Sequence, residues 1–292
     1  MHRWHNFVAI GDSFTEGLND PGPDGQFRGW ADRLAELLVR EQPALRYANL
    51  AIRGKYLRQV LDDQLPYALR AEADLVAFCA GGNDILRPGG DPDGLAEVVD
   101  AAVAQLRAVG SDVVIFTGFD PKATPVLRRV RGRIATYNGH LRAIADRNGA
   151  YTVDLWSMRA LHDPRAWSDD RLHLSPAGHS RVALRAAGVL GVSVDPAVDG
   201  RWDEPWPAVP PPAWLDLRRS DLAWTRQHFV PWIGRHLRGR SAGDNLLPKR
   251  PELTPLGQPR AGPEPRTPAG TSPNGAGRLF PGGSPHTLPL AP

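Results

Sequence analysis

Two hydrophobic rhythms alternate along the chain. Short, mostly apolar runs occur at Phe7–Ile10, Tyr47–Ile52, Asp74–Ala80, Asp112–Phe116 and Tyr151–Leu155, the pattern of strands buried on both faces of a parallel sheet. Between them apolar residues return at helical spacing: Trp30, Leu34, Leu37 and Leu38 within 27–40, Leu57, Val60 and Leu61 after Gly54, a further series in 94–109, and Ile134, Tyr137, Leu141 and Ile144 within 125–148. A last helix is expected over 176–190. Strands alternating with helices in this way predict a three-layer α/β/α sandwich with a five-stranded parallel sheet, ending near Asp195.

Beyond that point the rhythm is lost. Trp202, Trp206, Trp214, Trp224 and Trp232 fall within about thirty residues, so residues 196–242 read as a Trp-rich extension that docks on the main domain or on another chain. Residues 243–292 are rich in Pro and Gly with few apolar side chains, and are expected to be a disordered tail. Deleting this tail is expected to leave the activity of the front domain intact.

Composition narrows the class. The chain of 292 residues is 41% hydrophobic and 23% charged, enough for one sizeable α/β domain with an appendage. Its longest apolar runs fall far short of the roughly 18 residues that cross a bilayer. The start of the chain carries no secretory signal pattern, and the single cysteine, Cys79, fits a reducing cytoplasm. After Asp195 there are 12 Lys or Arg against 8 Asp or Glu, and up to and including it 23 against 24. So small an excess argues against nucleic acid as a partner. Nothing in the sequence speaks to oligomeric state.

The candidate chemistry lies where strands end. Ser13 follows the first strand, Gly54 the second, Asn83 the third, and Asp170 with His173 the fifth. In a parallel sheet these loops open on the same edge, where ligands bind. A serine hydroxyl needs an adjacent base to become a nucleophile. His173 can take and return its proton, and Asp170, three residues earlier, can hold the imidazole, giving a Ser13–His173–Asp170 triad. The Ser13 and Gly54 backbone N–H groups and the Asn83 amide are the candidate oxyanion donors. Singly, each residue has an ordinary structural explanation: Asp12 or Ser13 as a helix cap, Gly54 as a strand end, Asn83 as a turn former. It is their convergence that points to acyl transfer. Thr15 stands where the nucleophile elbow G-x-S-x-G has its second glycine, which excludes that hydrolase type. His162, His173 and His179 lack the compact spacing of a metal site.

These residues resemble four blocks of the SGNH hydrolases, the GDSL lipase and esterase family: GDSFTEG at Gly11–Gly17, Gly54 after NLAIR, GGND at Gly81–Asp84 and DRLH at Asp170–His173. The resemblance implies a flavodoxin-like fold, Ser13 as nucleophile, His173 as base, Asp170 as its orienting carboxylate, and Ser13, Gly54 and Asn83 as oxyanion donors. It implies no cofactor and no metal, and a small-molecule ester as substrate. Phe14 replaces the leucine of the name-giving motif, an apolar exchange. The alternative is a binding or scaffold protein that keeps an unused site and works through its Trp-rich extension and tail.

Overall fold

In chain order the secondary structure runs β1 (Asn6–Gly11), α1 (Ser13–Glu16), α2 (Gly29–Glu41), β2 (Arg46–Asn49), α3 (Leu57–Asp63), α4 (Leu65–Arg70), β3 (Leu75–Cys79), α5 (Gly82–Leu86), α6 (Pro92–Ala108), β4 (Asp112–Phe116), α7 (Arg131–Asn148), β5 (Tyr151–Val153), α8 (Pro176–Leu190), α9 (Pro196–Asp199) and β6 (Arg250–Pro255). This computed structural model describes residues 4–22, 25–124, 127–209, 224, 243 and 245–256, all within one unit, residues 1–261.

The sheet order is β5-β4-β3-β1-β2-β6. The first five strands in that order are parallel, with Phe7 opposite Leu75 and Gly11 opposite Cys79. Strand pleating explains the unbroken apolar runs. Phe7 and Ala9 face a core shared with α2 and α8, whereas Val8 and Ile10 face a second core built with α3, α4, α6 and α7. Every position of a central strand is thus an interior position.

The sixth strand corrects the sequence reading in two ways. The sheet has six strands rather than five, and β6 runs antiparallel to β2 from within the segment expected to be a disordered tail. Backbone pairing and a buried cation secure it, with Leu253 adding a partly buried apolar contact. The Arg250 guanidinium donates to the Tyr47 carbonyl (2.9 Å) and lies over the Tyr47 ring, so β6 covers an edge that β2 would otherwise leave open. Residues 257–292 of the expected tail lie outside the described residues.

Other boundaries shift for local reasons. The helix expected after Gly54 is divided at Gln64, whose side chain is drawn into the sheet: it accepts from the Gly11 N–H (2.8 Å) and donates to the Gly11 carbonyl (3.0 Å). The helix expected from Pro125 begins at Arg131, preceded by a 3-10 turn over Leu127–Val130. In the Trp-rich extension, Trp202 and Trp206 pack against the α2/α8 core. The Trp206 indole donates to the Ala160 carbonyl (2.8 Å) and stacks with Arg165 and Arg181. Trp214 and Trp232 lie outside the described residues. Among the described residues no helix is long and apolar enough to cross a membrane.

Candidate active site

Strand β1 carries the serine to the sheet edge and stops there. Gly11 has φ 154°, and a side chain at this position would collide with the Cys79 carbonyl and Thr15. Asp12 then caps α1, its Oδ1 accepting from the Phe14 N–H (3.1 Å). Ser13 is the first residue of that helical turn.

The return loop before α8 brings the other two predicted residues to it. His173 Nε2 lies 2.9 Å from Ser13 Oγ, and His173 Nδ1 lies 2.6 Å from Asp170 Oδ2. Because the carboxylate accepts, Nδ1 carries the proton and Nε2 faces the serine hydroxyl as an acceptor. Asp170 is fixed from several sides. Its Oδ1 accepts from the Leu172 and His173 N–H groups (3.0 and 2.9 Å) and from the Ser168 hydroxyl (2.8 Å), and its Oδ2 from the Asn19 amide (2.9 Å). Burial alone would raise its pKa, but the hydrogen bond and charge of His173, with the two backbone donors, hold the carboxyl well below the usual range. Asp170 is therefore a carboxylate throughout the range in which such chemistry runs.

Asn83 and Gly54 flank the serine from the other side. The Asn83 amide nitrogen donates to the Lys55 carbonyl (2.9 Å) and, over a longer 3.2 Å, to Asp12 Oδ2. That first bond sets the residue after Gly54 directly beside Asn83. Gly54 has φ 74°, a conformation that favours glycine. The preceding Arg53 is clamped by Glu16, whose carboxylate accepts from the Arg53 N–H (2.7 Å) and pairs with its guanidinium. Among the described residues the Ser13 and Gly54 N–H groups have no protein acceptor. Both are thus available to a ligand.

Several site residues carry no signal in the sequence. Asn19 sits in a turn-rich loop and adopts φ 70° to reach Asp170; Asn in such a loop is ordinary. The Trp224 indole donates to the Asp170 carbonyl (2.7 Å), so one extension residue touches the loop that carries Asp170 and His173. Asp12, read as a cap, also accepts from Asn83, and burial raises its pKa to about 6. Cys79 lines the cavity beside the serine. Burial pushes its thiol well above the ordinary range, which makes it a poor nucleophile. His179 is interior: burial lowers its pKa to about 4, its Nδ1 accepts from the Trp30 N–H (3.1 Å) and its Nε2 faces the Leu18 carbonyl. It ties the rim loop to α2 and α8.

The sequence model of the GDSL-like lipase/acylhydrolase family matches residues 9–181, a span that includes all the residues just described except Trp224. The chain belongs to this family. It is accordingly a hydrolase acting on ester bonds. No functionally curated protein matches the chain. Solved structures with the same fold include a variant of Axe2, an acetyl xylan esterase from Geobacillus stearothermophilus (20% identity, TM-score 0.56, covering 65% of this chain and 96% of that one). LAE5, an alpha/beta hydrolase enzyme from the metagenome of Lake Arreo, Spain, is 22% identical with a TM-score of 0.55 over 64% of this chain and 95% of its own. TesA is 24% identical with a TM-score of 0.53 over 63% and 97%. At these identities the likeness is one of fold. The extension and β6 lie beyond the matched family span.

Proposed function

We propose that this GDSL-family hydrolase cleaves esters through an acyl-enzyme formed on Ser13, with His173 as general base and acid and Asp170 as the orienting carboxylate. The observation that carries the reading is the unbroken hydrogen-bonded chain from Ser13 Oγ through both His173 nitrogens to Asp170.

In the first half-reaction Ser13 Oγ attacks the ester carbonyl carbon while its proton passes to His173 Nε2. The imidazolium so formed is stabilised by the Asp170 carboxylate at Nδ1. The carbonyl oxygen becomes an oxyanion, received by the Ser13 and Gly54 N–H groups and by the Asn83 amide. For Asn83 to contribute, its weaker bond to Asp12 is exchanged for one to the oxyanion. Collapse breaks the ester C–O bond, and the leaving alkoxide takes the proton from Nε2. Water then attacks the acyl-enzyme by the same route, giving the carboxylic acid and free Ser13.

Hydrolysis of p-nitrophenyl butanoate by the full chain tests this. Ser13→Ala or His173→Ala is expected to lower kcat by on the order of 10⁴ to 10⁶. Turnover within tenfold of the unsubstituted enzyme in either variant would overturn the assignment.

A further inference from the structure

A cavity of about 140 Å³ opens beside Ser13 and His173 and runs between the loops after β3 and β4 toward the start of α7. Its wall is formed chiefly by Phe14, Phe116, Phe119, Leu127, Ile134 and Tyr137. The two hydroxyls of this wall, apart from Ser13, are both turned away from a guest. Tyr137 donates to the Ala80 carbonyl (3.2 Å), and Thr117 donates to Asp154 Oδ1 (3.0 Å). The Gly118 N–H and carbonyl are both taken by the Asn138 side chain (2.7 and 2.8 Å).

Among the described residues, only the end of the cavity nearest the serine is polar. A guest there meets the nucleophile, the base and the oxyanion donors, and beyond them a hydrocarbon surface. A hydroxylated or charged group placed deeper would give up its bonds to water and find none in return. An apolar one gains from every methylene it buries. The size is also informative, since a cavity of about 150 Å³ lined by Leu, Ile and Phe accommodates benzene.

We propose that this cavity is the acyl site, and that it selects esters of unsubstituted aliphatic or aromatic acids of about four to eight carbons, the acyl chain lying against Ile134 and Tyr137. The proposal rests on the Ser13 acyl-enzyme reading above and adds to it which half of the substrate is recognised.

The test is a series of p-nitrophenyl esters from acetate to laurate, with the full chain and with Ile134→Ala and Ile134→Trp. Burial of a methylene corresponds to about a fourfold gain. The hexanoate-to-acetate ratio of kcat/KM is therefore expected to be on the order of 100, with a decline by laurate. A 6-hydroxyhexanoate ester should react at least about tenfold more slowly than hexanoate. Ile134→Trp should lower the hexanoate-to-acetate ratio by about tenfold or more, and Ile134→Ala should move the optimum to a longer chain. A flat profile, an optimum at acetate, or an unchanged ratio in both variants would overturn the proposal. Labelling of Ser13 by a small fluorophosphonate, read by mass spectrometry, separates the two levels. A labelled serine with a flat profile refutes the acyl site alone, whereas an unlabelled, inactive protein refutes the parent reading and the acyl site with it.

Discussion

Lys249 lies far outside the family span, yet its ammonium is buried, close to the sheet edge that carries Ser13. It pairs with Asp32 and donates to the carbonyls of Glu16, Phe27 and Arg28, its side chain being 7% exposed and that of Asp32 3%. Glu16 is the residue that clamps Arg53 beside Gly54, so the cation closes a path from the start of β6 to the Gly54 loop. Lys249→Met keeps the length of the side chain and removes its charge. Breaking a buried ion pair by deleting one partner costs about 3–5 kcal/mol. For a domain of this size each kcal/mol corresponds to about 2–4 °C in Tm, so the expected fall is about 6–20 °C. Thermal unfolding followed by tryptophan fluorescence measures the fall in Tm, and urea unfolding the loss in free energy. Adding Asp32→Asn should cost less than the sum of the two single substitutions, because the two groups share one ion pair. A loss below about 1 kcal/mol, the range of an exposed pair, would refute the reasoning. By the same logic, truncating the expected tail after residue 242 removes Lys249 and Arg250 together with β6, and should destabilise the domain.

Asn83→Ala should lower kcat by on the order of 10² to 10³ with KM nearly unchanged, as for loss of one oxyanion donor; steady-state kinetics on a butanoate ester decide it. Asn19→Ala should reduce kcat/KM by roughly tenfold by freeing one side of Asp170, while covalent labelling of Ser13 persists. The raised pKa of Asp12 favours the folded state where the group is protonated: that contribution is full below about pH 3.8 and is lost as pH rises through about 6. Asp12→Asn lacks it, so the stability of the variant relative to the unsubstituted chain should rise by about 3 kcal/mol between about pH 4 and pH 8, at about 1.36 kcal/mol per pH unit. Urea titrations at the two pH values read the difference, and a change below about 1 kcal/mol contradicts the assigned cause.

The sheet was legible because burial on both faces leaves an unmistakable trace. Val8 and Ile10 serve one core and Phe7 and Ala9 the other, so no polar residue interrupts the run Phe7–Ile10. The meeting of Ser13, Asp170 and His173 was legible because strand ends collect polar residues at one edge, and these three side chains converge there. What escaped is held by polar contacts between distant segments. Neither Arg250 on Tyr47 nor Lys249 under Glu16 belongs to a hydrophobic period, and a segment with so few apolar residues reads as disordered when each residue is weighed alone. The break at Gln64 was hidden for a related reason, since a glutamine in a helix gives no sign that it will serve as a strand partner for Gly11. Asn19 and Ser168 support Asp170 from loops whose turn chemistry would be the same without that task.

The most direct test of the account is the mass of the intact protein after treatment with diisopropyl fluorophosphate, followed by peptide mapping. One adduct per chain on Ser13, absent from Ser13→Ala and greatly slowed in His173→Ala, with ester hydrolysis lost in step, is the predicted result. Hydrolysis that survives in Ser13→Ala, or an adduct on a different residue that tracks the loss of activity, would contradict it.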